Sequence, residues 1–236
     1  MQITKESIVA DIVSKKLGSD HIFGKYKIDF CCGGGDTLEK ACNESGVEFE
    51  IIKKEIEAVN TKISGASNLN DLDIPSLIEK AKDGYHIHIS NTIIEILPFA
   101  EKVAKVHGGE HNEVVEINEL TKGVNVVLTE MLKNSTKSLY PKISEILEMD
   151  EKSEEIPSGV LQGIKKTIKR NEIAQNLLAD SFKEISNLSS DYTTPVGACN
   201  SYNFLYKNLK ELQHEVHSYM HFEKNILIPK ALKIIE

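Results

Sequence analysis

From Pro75 onward, apolar residues recur at intervals of three and four, as in helices that bury one face. Breaks at Val106–Gly109, near Asp150–Ser158 and at Ser189–Gly197 divide this stretch into four long segments with short connections, which predicts an up-down-up-down four-helix bundle. The first stripe runs Ile89, Ile93, Leu97, Ala100 and Ala104, with His86 on the same face and His88 roughly opposite. The second runs Ile117, Leu120, Val124, Val127 and Met131 and continues through Ser135 and Leu139. Leu161, Ile164, Ile168, Gln175, Leu178, Phe182 and Ile185 mark the third; Leu205, Leu209, Leu212, Val216, Tyr219, Glu223 and Ile226 mark the fourth. An imidazole and a carboxylate thus fall on core faces. Pro98 and Pro141 lie inside helical patterns, where each removes a backbone hydrogen bond and is expected to kink its helix.

Ahead of the bundle the pattern is shorter and more punctuated. A helix is predicted near Lys5–Leu17, a turn through Gly18-Ser19-Asp20, and two further helices near Thr37–Glu44 and Glu48–Val59. Thr61 to Asp73 is polar, lacks periodicity and ends before Pro75 at a helix start, so it reads as a linker. The chain is therefore expected to be all-α: a small helical N-terminal cysteine domain at 1–59, a linker at 60–73 and the bundle at 74–236.

Between the first helices lies the sequence Asp29-Phe30-Cys31-Cys32-Gly33-Gly34-Gly35. The glycines offer nothing for two adjacent thiols to pack against and free backbone N–H groups to stabilise a thiolate, so the pair points to chemistry; the alternative is two ordinary cysteines beside a loop. Cys42 and Cys199 are weaker signals, the first able to approach the pair, the second near a helix start.

The 236 residues, 40% hydrophobic, suffice for a core without staples. Four cysteines do not make a disulfide framework, and neither a signal-peptide apolar region nor a bilayer-spanning run is evident, so a reducing cytoplasm is the expected compartment and no membrane partner is implied. A net charge of −8 and a pI near 5.6 argue against nucleic acid as a partner. The basic run Lys165–Arg170 reads as a solvated helix face.

Specific stretches carry a resemblance to a known family. "HIFGKYKIDFCCGGGDTLEKAC", "YH" at Tyr85-His86, "KVAKVHGGEH" from Lys102 to His111, "DYTTPVGAC" from Asp191 to Cys199 and "HFEKNILIPKAL" from His221 to Leu232 resemble the repair-of-iron-centres proteins, which restore iron–sulfur clusters after nitric oxide or peroxide damage. The resemblance implies a hemerythrin-like bundle around a non-haem di-iron centre, with one His from each helix and bridging Glu on the second and fourth. Carried over residue by residue, His86 and Glu223 match family ligands; Tyr219, Met131 and Gln175 stand where the other His residues belong, and Ser135 where the second Glu belongs. One imidazole and one carboxylate leave most coordination positions to water, so weak or no di-iron binding is expected. The replacements make sense as repacking, with Tyr219 able to bond Glu223, whose ionised form burial would disfavour.

His107 is a further metal candidate, but it lies about 31 Å along a straight helix from His86 and cannot share its ion; with His111 it could form a minor site or be a solvated turn group. His214, His217 and His221 share one face, which suits a surface zinc or nickel ion or a merely solvated helix.

The reading that follows is a cytoplasmic iron–sulfur cluster repair protein, an iron donor rather than a turnover enzyme, with Cys31 and Cys32 as reactive or iron-handling thiols and damaged cluster proteins as partners. An exposed cysteine pair could also join two chains as a homodimer. A different class is a metal-poor hemerythrin-like module that senses redox state or docks a partner, which the missing ligands favour. Oxygen carriage requires the imidazole-rich centre that this chain lacks.

Overall fold

The computed structural model describes residues 2–16, 18–31, 34–59 and 69–234. Regular structure among them is helical, apart from an isolated antiparallel bridge between Ile8 and Thr37. The all-α expectation holds. The chain forms two compact units, Met1–Ala81 with His217–Glu236, and Lys82–Val216. Residues 60–68 of the expected linker fall outside the described residues.

The N-terminal part of the first unit contains α1 (Val9–Lys15), α2 (Ser19–Lys25), α3 (Leu38–Ser45), α4 (Phe49–Ala58) and α5 (Ile74–Glu79). The predicted helix at 5–17 is shorter because Ile8 pairs with Thr37 instead of extending it, and Ser19–Lys25 is helix where a turn was expected to begin. No side chain caps α1. The glycine turn does so instead: the carbonyls of Asp36 and Gly34 accept from the N–H groups of Val9 and Ala10 at 3.1 and 2.8 Å. Thr37 Oγ1 caps α3, which ends at Gly46 in the left-handed region, φ +71°, with the Val47 N–H closing back on the Cys42 carbonyl. Ile12, Phe23, Leu38, Ile52 and Ile56 are fully buried in this unit.

The second unit holds α6 (Ile87–His107), α7 (Glu113–Asn134), α8 (Tyr140–Glu151), α9 (Ser158–Leu188) and the first part of α10 (Asn200–Phe222). α7 and α8 make one rod joined by a π-helical turn, Ser135–Leu139. The 21 residues of α6 span about 31 Å, whereas the five residues 108–112 reach only about 18 Å, so α7 must run back alongside α6. Core positions follow the predicted stripes with small shifts: Ile96 and Val103 are buried where Leu97 and Ala104 were expected.

α10 ends in the first unit, where another π-helical turn, Glu223–Leu227, leads into α11 (Ile228–Leu232). A further π-helical segment, Lys80–His86, runs into α6 with no proline in the next turn, whereas the other two each have one just beyond them. Pro141 and Pro229 each stand six residues beyond the start of a turn, and a proline ring collides with the carbonyl four residues back in an ordinary helix. The chain widens instead, with the Tyr140 N–H donating to the Ser135 carbonyl and the Ile228 N–H to that of Glu223. The strain expected of Pro141 is thus absorbed as a wide turn, and Pro98 is carried inside the continuous α6. Among the described residues, no helix is long and apolar enough to cross a membrane.

A Cβ on Gly34 would lie 2.5 Å from the Phe30 carbonyl oxygen and 3.0 Å from the Ala10 side chain. Gly34→Ala is expected to destabilise the protein by about 1–3 kcal/mol, measured by urea unfolding.

Candidate functional site

The cysteine turn is built by short-range polar contacts and one long-range bond. Asp29 Oδ1 accepts from the Cys31 N–H at 2.9 Å, closing an Asx turn. Phe30 and Cys31 are buried, the cysteine only 3% exposed. Cys32 lies outside the described residues. The exposed pair expected from the glycine-rich sequence is thereby corrected at Cys31: tight packing of Gly34 beneath the Phe30 carbonyl lets the turn fold inward. Reaction at its sulfur requires the turn to open. Cys42 is a core residue of α3 whose thiol burial pushes upward in pKa, away from the reactive thiolate.

The turn is fastened to the end of α10. His221 Nδ1 lies 3.1 Å from the Phe30 carbonyl and donates to it, while Nε2 accepts from Ser14 Oγ at 3.2 Å. The Phe30 ring meets His217 and His221 edge-on, with centroids 6.4 and 6.0 Å away. His221 is 3% exposed, so the solvated face expected of His214, His217 and His221 is corrected at His221, which the cysteine segment covers. Burial lowers the His221 pKa, against the opposing pull of the Phe30 carbonyl and Asp20. Two residues on, Glu223 is fully buried and its Oε1 accepts from the Tyr219 hydroxyl at 2.8 Å, the contact anticipated for these side chains.

In the bundle unit, His86 is buried at the start of α6 with Nδ1 3.1 Å from Thr136 Oγ1 and Nε2 3.2 Å from the Tyr140 hydroxyl, on which its ring also stacks at 5.7 Å. A neutral ring satisfies both contacts, one nitrogen accepting and the other donating. Burial, and secondarily the charge of Lys82, lowers its pKa to about 4. Ser135 accepts from Asn171 Nδ2 at 2.8 Å, and Ser138 meets Thr167 at 3.0 Å. Met131 and Gln175 are buried as expected. Sequence reasoning missed Asn171 and Thr167, although Thr167, Asn171 and Gln175 recur every four residues on one face of α9, a polar ladder in an apolar stripe.

This donor chemistry does not suit a di-iron centre. At the six positions that the family's ligands would occupy, the buried side chains are one imidazole, His86, and one carboxylate, Glu223, with Met131, Ser135, Gln175 and Tyr219 at the others. Two iron cations call for bridging anions, and Ser135, at the position of one family bridge, is instead a neutral hydrogen-bond partner of Asn171.

The remaining candidates sit at the other end of α6. His107 Nε2 approaches Cys199 Sγ at 3.4 Å, while His111 Nδ1 pairs with Glu113 Oε1 at 3.1 Å, so each ring has a separate partner.

Comparison of the sequence with known proteins finds named relatives. The ScdA_N family, described as a domain of unknown function (DUF542), matches residues 5–60. The iron-sulfur cluster repair protein ScdA of Staphylococcus haemolyticus is 31% identical over 231 residues, covering 97% of this chain and 99% of that protein. ScdA of Staphylococcus epidermidis is 27% identical over 97% of this chain and 99% of its own length. The iron-sulfur cluster repair protein YtfE of Yersinia pseudotuberculosis is 25% identical over 90% of each.

Two outcomes are expected. The unfolded chain protonates His86 near 6.5 and the folded chain only near 4, so the unfolded state holds more protons between those values. Stability is retained above about pH 6.5 and falls as pH drops; urea unfolding should lose about 2 kcal/mol from His86 between pH 7 and 5, a loss absent in His86→Gln. His221 adds in the same direction. Separately, His221→Ala should raise the rate at which Cys31 is alkylated, read by peptide mass spectrometry; an unchanged rate would show that the Phe30 bond does not hold the turn closed.

Proposed function

The chain belongs to the iron–sulfur cluster repair family of ScdA and YtfE, and from that premise we propose that it restores damaged iron–sulfur clusters under nitrosative or oxidative stress in the cytoplasm. The observation that carries this reading is similarity over nearly the whole chain together with the cysteine turn seated on the end of α10. Cys31 and Cys32 are the working groups of the small domain at 1–59. Damaged cluster proteins are the partners, and iron is the cargo.

The chemistry follows from the thiols. Release of the Phe30 carbonyl from His221 frees the turn, and two thiols that give up their protons present soft, anionic sulfur to one iron ion. Segment 60–73 joins this domain to the bundle, 74–236, along the chain. No step passes through a resident di-iron centre, because His86 and Glu223 alone supply too few donors. His107 takes no part in holding iron.

A second reading has its own support. The two neutral pairs, Ser135 with Asn171 and Thr136 with His86, suit a hemerythrin-like bundle that has exchanged metal chemistry for a regulatory or redox-sensing role. Purification under anaerobic, iron-replete conditions separates the possibilities: iron well below two atoms per chain is expected, and a value near two would overturn the ligand reading. Wild-type protein should restore activity to an enzyme whose cluster has been damaged, and the Cys31→Ser, Cys32→Ser double variant should not. Undiminished repair by that variant would remove the thiols from the mechanism.

A further inference from the structure

Cys199 and His107 meet where two helices of the bundle unit end. His107 is the last residue of α6, and Cys199 stands at the N-terminal cap of α10, its carbonyl accepting from the Asn203 N–H at 3.1 Å. The 3.4 Å from His107 Nε2 to Cys199 Sγ is within reach of an S–H···N hydrogen bond. Cys199 is exposed, whereas Cys31 and Cys42 are buried.

His107 closes the last turn of α6 and Cys199 precedes the first turn of α10, so the imidazole and the thiol meet where the two helix ends come together. The fully buried Tyr202 ring stands edge-on to His107, centroids 5.4 Å apart and planes at 67°, and is itself fixed by the Tyr206 hydroxyl at 3.2 Å. A nucleophile, a base within reach and a group that holds the base are the parts of an activated thiol. One thiol and one imidazole are too few donors for a closed metal site.

We propose that Cys199 and His107 form a nucleophilic thiol–imidazole dyad whose substrates are low-molecular-weight disulfides, making Cys199 a site of reversible S-thiolation. His107 accepts the Cys199 proton, and the thiolate attacks one sulfur of the disulfide. A new S–S bond forms to Cys199 as the original one breaks, and the departing thiolate takes the proton from the imidazolium. The disulfide is the oxidant: Cys199 is oxidised, one half of the reagent leaves reduced as a thiol, and no other reactant is needed. This site is independent of the one formed by Cys31 and Cys32.

The full chain, incubated at pH 7 with bis(2-hydroxyethyl) disulfide, a neutral probe, and mapped by mass spectrometry, should carry the adduct first on Cys199. The rate there should exceed that of the same cysteine in the urea-unfolded chain and fall at least about tenfold in His107→Asn with the thermal midpoint unchanged. Tyr202→Phe, which keeps the ring, should retain most of the rate. Equal rates in wild type and His107→Asn, a folded rate no faster than the unfolded one, or an adduct confined to other cysteines would overturn the proposal.

Discussion

A single buried hydrogen bond, from His221 to the carbonyl of Phe30, governs how the cysteine turn is presented. It joins residues far apart in the chain, and it works only because Gly34 leaves room for that carbonyl and the Phe30 ring packs edge-on against α10. A buried carbonyl without a partner would be costly, so the imidazole both satisfies the backbone and selects the inward conformation. The burial of Cys31 is therefore tied to this attachment.

Gly34 has two structural duties. Its carbonyl, with that of Asp36, caps the start of α1, which has no side-chain cap, and its lack of a Cβ permits close approach to the Phe30 carbonyl.

Within the bundle, hydroxyls and amides stand where charged ligands would be costly to bury without metal. The π-helical turns Ser135–Leu139 and Glu223–Leu227 each run into a proline, Pro141 and Pro229, whose ring an ordinary helix could not seat without a clash.

The helical periodicity, the breaks between the rods and the burial of His86, Met131, Ser135, Gln175, Tyr219 and Glu223 were all legible along the chain, because a stripe repeating every 3.6 residues records which face avoids water. His221 was not: its face of α10 carries polar residues, and only the packing of a segment nearly two hundred residues away turns that face inward. Burial of Cys31 and the meeting of His107 with Cys199 likewise depend on contacts between distant residues, which no local pattern encodes. Sequence by itself determined the elements and their apolar faces; tertiary structure decided which polar groups became partners, since a hydrogen bond is set by distance and direction in space rather than by spacing along the chain.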